Sequence, residues 1–233
     1  MIRADCQREE FLVTDPVDVS KLDAPTLASH LAKPDGATGI AVSAGLNKTN
    51  EGPYRVARAK LALAAADNLL EIGFGNGHEI AALLAAAADI TYTGIDISET
   101  MVAEAKRRNA VAVEAGVVTL LHAASDKLPL AAAVFDKALA LNTIYFWRDP
   151  AVDLGEIRRV LCPGGRLVLG AIAPWSTSRP VFRHGFTFYS PEQLTALLQA
   201  AGFADVAIET LVDIYITSEG EHLPRDYFIV SAT

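Results

Sequence analysis

The segment Leu69-Leu70-Glu71-Ile72-Gly73-Phe74-Gly75-Asn76-Gly77-His78 constrains the fold of this chain more than any other stretch. An apolar run of strand length ends in glycines at alternate positions, and an Ala/Leu-rich helical stretch follows. Glycine lets the backbone reverse sharply and lets a ligand approach where a Cβ would collide. A helix that begins at such a turn leaves its first N–H groups unpaired and facing the same spot. A tight strand-to-helix connection uses the same residues without a ligand, so the downstream pattern has to distinguish the two.

That pattern is regular from Asn68 onward. Strands are predicted over Asn68–Ile72, Ile90–Ile95, Val117–Ala123, Phe135–Leu141 and Arg166–Ala173, with helices over His78–Ala88, Ser98–Arg108 and Ala151–Val160. Ser98 is a good N-cap, because its hydroxyl can accept a first-turn N–H. Gly164-Gly165 breaks the chain before the fifth strand. Ser190-Pro191-Glu192 opens a helix that runs to about Ala201 and stops at Gly202. Two further strands, Ala204–Leu211 and Tyr227–Ala232, have no helix between them, only a stretch with Gly220 and Pro224, so they pair antiparallel or diverge. The predicted fold is a Rossmann-like, doubly wound α/β sheet, mainly parallel with an antiparallel C-terminal strand. Residues 1–66 differ: Pro16, Pro25, Pro34 and Pro53 interrupt them and no strand is evident. Irregular segments with two or three helices are expected there, near Ala24–Leu31 and Tyr54–Ala64 among them, packed as an N-terminal helical cap on a domain spanning 67–233.

Composition excludes some partners. The 233 residues carry 20 basic and 28 acidic side chains, a net charge of −8. Such a surface repels phosphate backbones, so nucleic acid is not expected to bind. Lys106-Arg107-Arg108 point in different directions on a helix and read as a solvated face. Cys6 and Cys162 are isolated thiols with no metal-ligand spacing, so no metal is expected, and Cys162 should be buried and inert beside its turn. The charged N-terminus, with Arg3, Asp5, Arg8, Glu9 and Glu10, is no signal peptide. No uncharged apolar run approaches the ~18 residues a membrane span needs. A soluble, cytoplasmic protein without a membrane partner is expected; its oligomeric state is open.

The glycine pattern narrows the ligand. A dinucleotide fingerprint wants G-x-G-x-x-G, and His78 occupies the third glycine position. The series here is Glu71, Gly73, Gly75, Gly77, and about 20 residues later Gly94-Ile95-Asp96-Ile97-Ser98 ends the second strand. A carboxylate there can accept both hydroxyls of a ribose. Further on come Leu128-Pro129-Leu130, Val134-Phe135-Asp136, and a helix leading through Leu161-Cys162-Pro163-Gly164-Gly165. Together these resemble the class I S-adenosylmethionine-dependent methyltransferases over residues 50–233.

The resemblance implies S-adenosylmethionine as cofactor. Its amino-acid portion would lie on Gly73, Phe74, Gly75 and Gly77, with the ammonium near Glu71. Asp96 would take the ribose and Ile97 would lie against the adenine. Ala124 and Ser125 occupy the third motif, where relatives carry an Asp at the position of Ala124. The adenine amino group thus lacks its usual carboxylate, and Asp126 or a backbone carbonyl is the replacement, while Ser125 still offers its backbone N–H. Asn142, after the fourth strand, completes the cofactor contacts.

The stretch Asn142-Thr143-Ile144-Tyr145-Phe146-Trp147 lacks the Asn/Asp-Pro-Pro-aromatic motif of relatives that methylate adenine or glutamine amides. A polar position followed by aromatics suits a small apolar or aromatic methyl acceptor. Tyr54, Tyr145 and Trp147 are the candidate acceptor contacts, with a core role as the alternative for Tyr145 and Trp147. Methyl transfer needs alignment above all, and a base only where the nucleophile must shed a proton. No catalytic residue is assigned; of five histidines, His184 is the best-placed base. Two other readings stay open on the sequence: an NAD(P)-dependent oxidoreductase, against which His78 and Glu71 argue, and a non-catalytic S-adenosylmethionine-binding protein, suggested by the altered third motif.

Overall fold

The structure, a computed structural model, describes residues 17–216 and 220–233. Cys6, Pro16 and the charged residues from Arg3 to Glu10 lie outside the described residues. The strands are β1 (Asn68–Ile72), β2 (Thr91–Asp96), β3 (Val118–His122), β4 (Phe135–Leu141), β5 (Leu161–Ile172), β6 (Ala207–Leu211), β7 (Ile214–Ile216), β8 (His222–Pro224) and β9 (Tyr227–Ala232). Seven of them form one sheet in the order β3-β2-β1-β4-β5-β9-β6. Strands β1 to β5 pair in parallel, and β9 runs antiparallel between β5 and β6. Leu69, Leu70, Leu139, Val168 and Val230 are all buried, as near-continuous apolar strands must be when helices cover both faces. Strand order reverses between β1 and β4, and the crevice outside their carboxyl ends is where such sheets take ligands.

The helices are α1 (Ala24–Ala32), α2 (Gly36–Thr49), α3 (Glu51–Leu61), α4 (Ile80–Leu84), α5 (Glu99–Arg108), α6 (Ala110–Glu114), α7 (Pro150–Val160) and α8 (Pro191–Ala200). Ser98 caps α5, accepting from the Met101 N–H at 3.1 Å. Ser190 and Gln193 cap each other's backbone at the start of α8, with Pro191 in its first turn. The basic run on α5 is answered by its own helix: Arg107 and Arg108 both pair with Glu104.

Several expected boundaries are corrected. Helix α2 supplies a third helix between the two placed from the sequence. Gly39 packs so closely on Pro34 that a Cβ would sit 2.6 Å from its carbonyl carbon. Helix α4 is a short piece rather than a run from His78 to Ala88. Strand β5 begins at Leu161, not Arg166: Leu161 already pairs with Phe135, and the irregularity between Phe135 and Lys137 absorbs the Pro163-Gly164-Gly165 turn. Cys162 is therefore half-buried on a strand and not enclosed. The stretch before β9 holds a small antiparallel hairpin of β7 and β8. Helix α3 lies directly on the sheet, where Ala57 and Leu61 join the main core and Arg166 donates to the Lys60 carbonyl at 3.0 Å.

Candidate functional site

The glycine turn leaves β1 with all three glycines at positive φ, 75° at Gly73, 57° at Gly75 and 69° at Gly77. A Cβ on Gly73 would lie 2.2 Å from Thr143 Cγ2, so the turn can sit against the end of β4 only with glycine there. One residue further along the neighbouring strand, Asp96 reaches back to the turn. Its Oδ2 accepts the Gly75 N–H at 2.9 Å and its Oδ1 accepts the Ser98 N–H at 2.8 Å. Asp96 is 6% exposed, and burial pushes its pKa up to about 6 against the pull of those two N–H groups. A carboxylate has about four acceptor sites, so lone pairs remain on both oxygens.

Glu71 sits behind the turn, 1% exposed. Tyr54 from α3 donates to its Oε1 at 2.9 Å and Tyr92 from β2 to its Oε2 at 2.6 Å. Burial raises its pKa to about 7, although both tyrosine hydroxyls favour the charged form. Asn76, also buried, ties the turn to α2: its amide donates to Asn47 Oδ1 at 3.1 Å and to Ser43 Oγ at 3.3 Å, while its own oxygen accepts the His78 N–H. Helix α2 is thus fastened to the turn through Asn76, and α3 to the strand before it through Tyr54.

After β4 the chain turns through Asn142, which holds the left-handed conformation at φ 59°. The Tyr145 hydroxyl donates to Asn142 Oδ1 at 2.9 Å and accepts the Ile172 N–H. Thr143 Oγ1 is a buried side-chain oxygen with no hydrogen-bond partner among the described residues. On the far side, the loop after β3 carries Ala124, Ser125 and Asp126, and the Ser125 hydroxyl donates to Asp153 of α7.

These groups surround a cavity of about 400 Å³, within the size range of small-molecule sites. Gly73, Phe74, Gly75, Asp96, Ile97, Ala124, Ser125 and Asn142 line it, as do Tyr54 and Trp147. Ile97 is 48% exposed at its rim, an apolar side chain held out of the core. Of the remaining expected site residues, Glu71 and Gly77 lie behind the wall and Tyr145 is inside the core at 3% exposure. Tyr145 therefore takes the core role, with its hydroxyl spent on Asn142 and the β5 backbone. His184 is exposed and off the cavity, whereas His78 lines it. Asp153, Thr143, Ser43, Leu46 and Asn47 were not anticipated, and all are on the wall. Thr143 follows Asn142 in the stretch already singled out, whereas the other four sit on helices with no local motif, and α2 has no apolar stripe that would mark its cavity face.

A doubly wound sheet with its cavity across the ends of β1, β2 and β4 has the architecture of Rossmann-like cofactor-binding enzymes. Residues 70–169 match the family model of a methyltransferase domain. The chain is 31% identical over 150 residues to the uncharacterized methyltransferase YdaC of Bacillus subtilis, covering 64% of this chain and 78% of that protein. It is 42% identical over 110 residues to the 27-O-demethylrifamycin SV methyltransferase of Amycolatopsis mediterranei, covering 47% of this chain and 40% of that one. Against the O-methyltransferase resE of Aspergillus sclerotiorum it is 33% identical, spanning 62% of this chain and 58% of that relative. Among solved structures, a Haloferax volcanii methyltransferase in complex with the Trm112 activator superposes with a TM-score of 0.72 at 19% identity, over 83% of this chain and 92% of that one. Phosphoethanolamine N-methyltransferase 2 of Haemonchus contortus, solved with S-adenosyl-L-methionine, gives a TM-score of 0.65 at 15% identity, over 79% and 52%. The chain belongs to the methyltransferase family and is an enzyme of that family. Among the described residues, no helix is long and apolar enough to cross a membrane.

Proposed function

We propose that the protein transfers the methyl group of S-adenosylmethionine to a small apolar or aromatic acceptor in the cytoplasm, with the segment up to residue 66 acting as a cap over the reacting groups. The observation that carries this reading is that one continuous cavity is lined both by the Gly73–Gly75 turn with Asp96 and by apolar side chains, Leu31 and Leu46 from the cap helices and Phe146 and Trp147 after β4. The residues fit the cofactor. Asp96 keeps lone pairs on both oxygens for a vicinal diol, Ile97 offers an exposed apolar face for a flat ring, and the unpartnered Thr143 hydroxyl is available to a polar group of the amino-acid portion. Glu71, which ionises as pH rises through about 7, then adds negative potential favourable to an ammonium from behind the turn.

When bound, S-adenosylmethionine supplies an electrophilic methyl on a positively charged sulfur. The chain's part is to hold that methyl and the acceptor in line and to keep water out, which alone can supply much of the rate. Half-buried Phe146 and Trp147 suit both tasks, giving an acceptor apolar surface and leaving few polar groups to retain water. Relatives named an O-methyltransferase and a 27-O-demethylrifamycin SV methyltransferase support a small organic acceptor.

Calorimetry with S-adenosylmethionine and S-adenosylhomocysteine tests the cofactor site. Asp96→Ala removes the diol acceptor and Gly75→Val projects a side chain into the cavity, so each is expected to weaken binding at least about tenfold. Unchanged affinity in both would overturn the site assignment. Turnover of nucleic acid, with no small molecule accepted from a panel of phenols and other hydroxylated aromatics, would overturn the acceptor class.

A further inference from the structure

The residue where a carboxylate was expected is Ala124, yet a carboxylate does arrive at that end of the cavity, carried by a different element. Asp153 of α7 is 3% exposed, lines the cavity together with Ile97, Ala124 and Ser125, and accepts the Ser125 hydroxyl on Oδ1. We propose that Asp153, held in place by Ser125, is the acceptor for the exocyclic amine of the cofactor's adenine, replacing the side chain absent at Ala124. The proposal rests on the cofactor site described above.

A purely structural role for Asp153 has a specific form. Glu156 and Arg159, on the same face of α7, clamp the loop after β3: Glu156 Oε2 accepts the Leu128 N–H at 2.9 Å, and Arg159 donates to the carbonyls of Leu128 and Leu130. Asp153 continues that row by one turn and could be a third clamp. Two features set it apart. Glu156 and Arg159 neutralise each other as an ion pair, whereas Asp153 has no cationic partner and accepts one side-chain hydrogen bond, from a neutral hydroxyl. Glu156 and Arg159 also stand off the cavity, whereas Asp153 is on its wall. A buried carboxylate needs further donors to repay its lost hydration, and an amine of a ligand beside it supplies one. Asp126, which also lines the cavity, is exposed to water and meets its needs there.

The test compares S-adenosylhomocysteine with its 6-unsubstituted purine analogue, which lacks only the amine, by calorimetry on the full chain. The wild type is expected to favour the amine-bearing ligand about tenfold or more, the effect of one hydrogen bond to a charged acceptor. Asp153→Ala should collapse that ratio to about one while leaving the affinity for the purine analogue unchanged. Asp153→Asn, which keeps shape and the contact with Ser125, should lower the ratio severalfold and covers the case in which the alanine variant does not fold. Placing a carboxylate at the vacant position, Ala124→Asp on the Asp153→Ala background, should restore the preference. If both ligands weaken equally in the Asp153 variants, Asp153 is a loop clamp and the proposal is overturned; loss of the ratio in Asp126→Ala overturns it as well. Failure of the wild type to bind either ligand would instead sink the cofactor site itself.

Discussion

Replacing Glu71 by Gln should remove a pH dependence from the stability of this fold. Its carboxyl titrates near 4.5 when unfolded and at about 7 in the native state, where burial outweighs the two tyrosine hydroxyls. Between those values the native protein holds a proton that the unfolded chain has released. Stability from this group is therefore fully present below about pH 4.5 and is lost as pH rises through 7. At 1.36 kcal/mol per unit, a shift of that size corresponds to about 3 kcal/mol in all, of which about 2.5 kcal/mol falls between pH 5 and pH 8. Asp96, raised from 3.8 to about 6, acts in the same direction, so the wild-type profile alone cannot isolate Glu71. The Gln variant can. It keeps the size and one acceptor for the tyrosines, at a cost of about 1 kcal/mol that does not vary with pH. Urea unfolding of both proteins at pH 5 and pH 8 should show the variant gaining about 2.5 kcal/mol on the wild type across the interval. Parallel profiles would refute the reasoning, because they would mean that Glu71 is as easily ionised folded as unfolded.

Two further outcomes follow from packing. A Cβ at Gly94 would lie 2.5 Å from Phe74 Cδ1 and 2.9 Å from Leu120 Cδ2, so Gly94→Ala is expected to destabilise by about 1–3 kcal/mol and to weaken cofactor binding by displacing Phe74; an unchanged Tm would contradict this. Tyr145→Phe leaves the Ile172 N–H without its partner, which should lower stability by about 1–3 kcal/mol with little effect on acceptor KM. Trp147→Ala, on the cavity wall, should raise acceptor KM, and steady-state kinetics beside thermal unfolding will separate the two residues.

What the sequence determined by itself is the part of this protein whose chemistry is local. Alternating glycines after an apolar run, a carboxylate at the end of β2, Ser98 before a helix and Ser190-Pro191 before another each act on backbone groups within a few residues, so a linear reading finds them and finds the fold class with them. Tertiary structure decided whatever joins distant segments. Glu71 reads as a cavity acid until Tyr54 and Tyr92 close over it. Tyr145 reads as an acceptor contact until β5 takes its hydroxyl. Helix α2 is hidden because Gly39 serves close packing on Pro34, which looks the same in sequence as a helix breaker. The carboxylate missing at Ala124 has its counterpart 29 residues on, at Asp153, in reach only because α7 lies along the loop after β3. No periodicity or motif encodes such a pairing, since it depends on where the folded chain sets two elements side by side.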